Sequence, residues 1–177
     1  TNSVPYRPEP IQLRQLTQEC YGFFQHSLEL KQIEFTDRTI DDLFVFADKN
    51  ALAAVLRNLL SNAIKYSPLN KNVWIKVSTR LEPKYLPEPD QIVLMPNSVY
   101  IIVEDEGPGF TENDKSSLFG KFARLSAQPT GGESSTGLGL SIVKRYVEAM
   151  KGNIWLISEV NQGAAFVVSL PQNAPPQ

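Results

Sequence analysis

Residues 56–67 read LRNLLSNAIKYS, and the fold turns on how this stretch is placed. Leu56, Leu59, Leu60, Ala63 and Ile64 continue an apolar series begun by Leu52 and Val55, at the three- and four-residue spacing of one helix face. Asp48 is suited to start that helix, because its carboxylate can accept an amide that the first turn leaves open; Pro68 closes the pattern. At about 100° per residue, Asn58, Asn62 and Lys65 fall on one strip beside the apolar face, with Tyr66 just over its edge. The strip is a rim, half in the core layer and half facing whatever covers it. Two readings of it stay open from the helix alone. The amides bond nearby loop backbone, or their oxygens ligate a hard Mg²⁺ while Lys65 neutralises phosphate.

Outward from this helix, the chain alternates helical and extended patterns. Leu13, Leu16, Cys20, Phe23, Phe24 and Leu28 predict a helix over 13–31, and IEFT (33–36) and LFVF (43–46) predict short strands around a turn at Asp41 and Asp42. VWIKVSTR (73–80) and SVYIIVE (98–104) read as two strands of a hairpin. The proline-rich stretch between them, with Pro83, Pro87, Pro89 and Pro96, reads as a surface excursion. A second amphipathic helix follows Gly137, with Gly139, Ile142, Val143, Tyr146, Val147 and Met150 on one face and Gly152 as its stop. NIWLISEV (153–160) and AAFVVSL (164–170) form a hairpin through Asn161 and Gly163. Three prolines in residues 1–10 give the opening the look of a linker, taken as 1–9, and 172–177 reads as a disordered tail. The expected fold is α/β, with helices on one face of a mixed, mostly antiparallel sheet over residues 10–171.

Composition narrows the function classes. A 177-residue chain can bury a core without staples, and 42% apolar with 20% charged residues is the profile of a soluble globular domain. Net charge is −2 with no long basic run, which argues against a nucleic-acid surface or direct membrane contact. One cysteine excludes an intrachain disulfide framework and a thiolate metal cluster, which fits a reducing, cytoplasmic setting; Cys20 reads as a small core hydrophobe. No stretch approaches the roughly 20 apolar residues of a membrane span. The first residue is Thr1, which suggests a piece of something longer.

Two glycine segments carry further chemistry. DEGPGF (105–110) follows the 98–104 strand, where glycines allow a turn and the close approach of a flat ligand, and Asp105 could accept a hydrogen bond from an exocyclic amine such as that of adenine. STGLGLSIVK (135–144) sets Gly137 and Gly139 at a helix start, where open amides and the positive helix end suit a polyphosphate. Alone, DEGPGF is more often just a tight turn, and each short glycine pattern is a weak signal in isolation. The phosphate loop G-x-x-x-x-G-K-[ST] and the dinucleotide fingerprint G-x-G-x-x-G are both absent from the sequence.

Taken in order, LRNLLSNAIKYS, DEGPGF, LFGKFAR (118–124) and STGLGLSIVK resemble the N box, first glycine box, F box and second glycine box of the sensor histidine kinase catalytic (ATP-binding) domain. The resemblance implies a two-layer α/β sandwich of a mixed sheet and about three helices, with ATP and Mg²⁺ as ligands and a mobile lid over about 111–136. It implies Asn62 as the Mg²⁺ ligand, Asn58 one turn earlier facing the phosphates, Lys65 on phosphate, and Tyr66 on the adenine. Asp105 would read the adenine amine, with Gly107, Gly109 and Phe110 shaping the pocket floor. Phe119 and Phe122 would anchor the lid, with Lys121 near the nucleotide and Arg124 approaching the γ-phosphate. Thr136, Gly137, Leu138, Gly139 and Leu140 would hold the triphosphate through backbone amides. Two departures stand out: Ser135 where a further glycine is frequent, with Gly131 and Gly132 just upstream, and Ala164 where many members carry a hydroxyl.

The resemblance also sorts the chemistry, with Asn58, Lys65 and Arg124 as the catalytic set. Related ATPases of the gyrase, mismatch-repair and heat-shock chaperone type place a water-activating glutamate one turn before the metal asparagine; here that position is Asn58, which has no useful basicity. Transfer to a protein histidine is therefore expected. The sole histidine, His26 in YGFFQHSLELK, is followed by Ser27 instead of an acidic residue and lies too close to Asn58 for a helical hairpin to intervene, so the acceptor is expected elsewhere. The implied partners are a histidine-bearing dimerisation domain of the same protein and a response regulator. The isolated domain is expected to be a monomer, in the cytoplasm or in the cytoplasmic part of a membrane-bound sensor. The alternative is a nucleotide-gated interaction module or an anti-sigma-type serine kinase using the same pocket.

Overall fold

The structure is a computed structural model that describes residues 5–119 and 139–172. In chain order it contains β1 (Pro8–Gln12), α1 (Leu13–Leu30), β2 (Glu34–Asp37), β3 (Phe44–Asp48), α2 (Lys49–Tyr66), β4 (Asn72–Ser78), β5 (Ser98–Asp105), α3 (Glu112–Ser117), α4 (Gly139–Ala149), β6 (Asn153–Ser158) and β7 (Ala164–Pro171). Five strands form one sheet in the order β2-β4-β5-β7-β6, in which only the β2–β4 pairing is parallel. β1 and β3 make a separate antiparallel ribbon. The linker assignment of 1–9 thus needs correcting at its end, since Pro8 and Glu9 pair with Asp48 and Ala47 in that ribbon. A two-stranded ribbon tolerates these prolines because each strand has a free edge.

Strand alternation sorts the two faces of the sheet. Val99, Ile101 and Val103 of β5 share a core with the buried faces of α1, α2 and α4, while Tyr100 and Ile102 point to the other side. All seven apolar residues expected on α2 are buried, from Leu52 to Ile64. Asp48 caps this helix as expected: Oδ1 accepts the Ala51 amide at 2.9 Å, and Oδ2 accepts the Arg7 amide at 2.8 Å. One charge therefore fastens both the helix start and the approach to β1.

On α4 the buried stripe is Leu140, Val143, Val147 and Met150, whereas Ile142 and Tyr146 stay 37% and 39% exposed. The helix is apolar over a wide arc, and packing against α2 selects the Leu140 side of it. Its left-handed end residue is Lys151, with φ 63°, and Gly152 follows it, donating to the Val147 carbonyl at 3.0 Å.

The excursion between β4 and β5 does more than bridge a hairpin. Tyr85, Leu81, Ile92 and Leu94 cover Tyr100, Ile102, Trp155 and Val167 on the helix-free face of the sheet. Trp155 Nε1 donates to the Tyr85 carbonyl at 2.7 Å, and the Tyr85 hydroxyl donates to Glu104 at 2.5 Å. Burial first, and then Glu104, push the Tyr85 phenol up, so it stays protonated.

Candidate functional site

The cleft opens where the end of β5 meets the α2 rim. Its wall combines Asn62 and Tyr66 of α2, Asp105 at the end of β5, Pro108, Gly109 and Phe110 of the glycine segment, and Ala164 and Phe166 of β7. Four of the side chains expected to line a pocket, Asn62, Tyr66, Asp105 and Phe110, come together here with Gly109, from two separate parts of the chain, and β7 closes the wall. The Tyr66 ring meets Phe110 edge-on at 6.5 Å, and Phe110 meets Phe166 in the same way at 6.0 Å. The Phe110 side chain is thus a buried support for the cleft.

Asp105 is 9% exposed. Its Oδ1 accepts the Gly107 amide at 2.7 Å, and the Ala164 amide also bonds the carboxyl. Burial outweighs these bonds and, with the charges of Glu104 and Glu106, pushes the carboxyl from 3.8 to about 7. A buried acceptor poised near neutrality is suited to a ligand N–H, whose hydrogen bond favours the charged form.

The glycines are needed for approach and for backbone shape. A Cβ on Gly107 would stand 2.7 Å from the Tyr66 carbonyl oxygen. Gly109 has φ +72°, and a Cβ there would stand 2.2 Å from the Glu159 carbonyl oxygen. These two positions set how closely the segment lies against α2 on one side and against the β6–β7 turn on the other.

Asn58 sits one turn up α2 from Asn62, half-buried. Its Nδ2 donates to the Ala54 carbonyl at 2.8 Å, and its Oδ1 lies 2.8 Å from where a Cβ on Gly139 would be. The two motifs expected to meet at the phosphates, the N box and the second glycine box, are in contact at this point. Lys65, half-buried in the last turn of α2, is not in the wall of the cleft. Leu140 turns its side chain into the core, so only its backbone amide is available for a ligand. Lys121, Phe122, Arg124, Thr136, Gly137 and Leu138 lie outside the described residues.

The expected lid begins in ordered structure. Thr111 and Asp114 form a reciprocal cap for α3, with Asp114 N to Thr111 Oγ1 at 3.1 Å and Thr111 N to Asp114 Oδ2 at 3.2 Å. Leu118 is buried, and Phe119 packs partly against the main core, 5.6 Å from Lys144 Nζ. Ser158 was not among the expected site residues. Its hydroxyl accepts the Phe110 amide and donates to the Gly163 carbonyl, both at 2.9 Å.

A family model described as histidine kinase-, DNA gyrase B- and HSP90-like ATPase matches residues 47–174. The chain belongs to this family. Within it the chain is of the histidine kinase catalytic kind, and nucleotide use comes with that domain. It is 34% identical over 142 residues to the sensor histidine kinase WalK of Bacillus subtilis, which covers 80% of this chain and 21% of WalK. It is also 34% identical over 142 residues to the adaptive-response sensory kinase SasA of a Synechococcus strain, covering 80% of this chain and 33% of SasA. The catalytic domain of histidine kinase ThkA superposes with a TM-score of 0.74 at 27% identity, covering 94% of this chain and 96% of that one. ThkA has also been solved in complex with the response regulator protein TrrA, with a TM-score of 0.71 at 26% identity, covering 95% of this chain and 42% of ThkA there. The chain thus spans about a fifth to a third of the two sequence relatives. These sensor kinases do not favour the interaction-module or serine-kinase alternative. Among the described residues, no helix is long and apolar enough to cross a membrane.

Proposed function

We propose that the chain binds Mg²⁺-ATP in the Asp105 cleft and presents the γ-phosphoryl group to a histidine on a separate dimerisation domain of the same protein, for relay to an aspartate of a response regulator. The observation that carries this reading is Asn58. Its nitrogen is committed to Ala54, which leaves the oxygen toward the first residue of α4. An amide at this place cannot deprotonate water, so attack by water gets no base from the residue that supplies one in the hydrolytic relatives. A histidine imidazole, largely neutral near pH 7, needs no such base.

The remaining residues bind and orient. Asp105 accepts from the adenine amine, Tyr66 packs on the base, and the close glycine approach leaves a flat slot for it. Asn62 offers a neutral oxygen to a hard cation that keeps most of its waters, and the start of α4 turns open amides toward anionic oxygens. Lys65 and Arg124 supply positive charge near the phosphates. Mg²⁺ held by Asn62 would supply charge neutralisation to the triphosphate; the bond from the β,γ-bridging oxygen to the γ-phosphorus breaks as the imidazole nitrogen bonds to that phosphorus, and ADP leaves. TrrA bound to ThkA supports a response regulator as the downstream partner.

Calorimetric titration with ATP, with and without Mg²⁺, should give binding strengthened by the cation, and phosphate release from the chain alone should be negligible. Steady phosphate release without any acceptor would overturn the donor reading.

A further inference from the structure

Ser158 ends β6 and is 8% exposed. Strand register places it opposite Ala164, which in turn lies opposite Asp105, so the three residues run in a row across β6, β7 and β5. Directly opposed residues on neighbouring strands share a face, and strands are about 4.8 Å apart, which sets Ser158 roughly 10 Å from Asp105 on the cleft side of the sheet. The small Ala164 lies between them and lines the cleft.

The Ser158 hydroxyl joins two segments that the chain keeps far apart. It accepts from the Phe110 amide, 48 residues away, and donates to the Gly163 carbonyl. A second bond runs alongside, from the Asn161 amide to the Pro108 carbonyl at 2.7 Å. Gly109 lies so close that a Cβ there would be 2.9 Å from Ser158 Oγ, and a Cβ on Gly163 would be 2.3 Å from the Asp105 carbonyl oxygen. The β6–β7 turn is therefore pressed against the strand end that carries Asp105 and against the glycine segment that faces the base.

We propose that Ser158 is a positioning residue of the nucleotide cleft, which acts through the Phe110 amide and the Gly163 carbonyl to hold segment 107–110 at the spacing that a bound adenine requires. The inference rests on the nucleotide reading above. A hydroxyl suits this place because it accepts and donates at once. Alanine would leave a buried amide and a buried carbonyl without partners, and the segment would relax away from the turn. The contribution is to the geometry of the base slot. The phosphate end of the site, on α2 and α4, is left as it was.

The test compares the chain with its Ser158→Ala, Ser158→Cys and Ser158→Thr variants, titrated with ATP and with GTP. Ser158→Ala and Ser158→Cys should bind ATP about 5- to 10-fold more weakly, while GTP affinity moves less than about twofold. Ser158→Thr, which keeps the hydroxyl, should restore most of the ATP affinity. A merely structural serine would lower the melting temperature and leave the ATP-to-GTP ratio unchanged. A folded Ala or Cys variant that binds ATP like the parent overturns the proposal. In the unmodified chain the Phe110 amide should resist hydrogen exchange before nucleotide is added, and fast exchange there also overturns it. Failure of the parent chain to bind ATP would instead count against the nucleotide reading.

Discussion

The α2 wall of the cleft is carried by a helix anchored in a core of its own, whereas the wall from Asp105 to Phe110 is shaped by glycine backbone packed close against its neighbours. Asn58 and Asn62 project half-buried from a helix whose adjoining face, from Leu52 to Ile64, is sealed in the core. The helix is held by residues that never touch a ligand, so its rim is free to vary in chemistry. The other wall has no such separation. Gly107, Gly109, Asp105 and Ser158 hold one another by close approach and by hydrogen bonds, so any change alters shape and chemistry together. A site can thus keep its recognition slot fixed while the helix rim decides what the bound group does.

The largest effect should come from breaking the backbone wall. Gly109→Ala forces a side chain into φ +72° and against the Glu159 carbonyl; it should cost about 3 kcal/mol or more in urea unfolding and remove nucleotide binding as well. Asn62→Ala on the rim should behave in the opposite way. Stability should stay within about 0.5 kcal/mol, while the gain in ATP affinity on adding Mg²⁺ should fall about 100-fold by calorimetry. A large loss of stability in Asn62→Ala would merge the two walls into one structural unit.

Acid sharpens the contrast further. Burial pushes the unliganded Asp105 carboxyl up to about 7, and its charged form is the stronger acceptor for an amine donor. ATP affinity should therefore fall as pH drops below about 7, by up to about tenfold per unit, and Asp105→Asn should flatten that profile. Stability should move the other way. The folded state holds a proton that the unfolded chain releases, so stability declines as pH rises from about 4 to about 7, and Asp105→Asn should remove this slope in denaturant melts across that range. The smallest effect is expected away from both walls. Asp48→Ala removes the α2 cap and its bond to Arg7 and should cost about 1 kcal/mol, with ATP affinity nearly unchanged.

The two walls also differed in how far the sequence revealed them. The rim was readable because a helix repeats every 3.6 residues, so the positions of Asn58 and Asn62 relative to Leu56 and Leu59 follow from spacing alone. Asp105, Gly107 and Gly109 were readable as a motif after a strand. Ser158 was not, since a single serine in NIWLISEV gives no sign that its partner lies 48 residues back. Distance along the chain hid other features too. The β1–β3 ribbon was masked by Pro8 and Pro10, and the cover that Tyr85 and Ile92 give to the second sheet face depends on where Trp155 lies. On α4, spacing placed Ile142 and Tyr146 on the apolar face, whereas packing against α2 and β6 buries Leu140 and leaves those two partly exposed.

On this reading the cleft donates a phosphoryl group to a histidine outside the chain. The experiment that bears on it mixes the chain with the histidine-bearing dimerisation domain proposed for the same protein and with ATP labelled at the γ-position, and then follows the label on protein. Acid-labile, base-stable label should accumulate on a histidine of the dimerisation domain, and should not accumulate with Asn62→Ala. Absence of histidine label with the unmodified chain, or label on a serine hydroxyl, would contradict it.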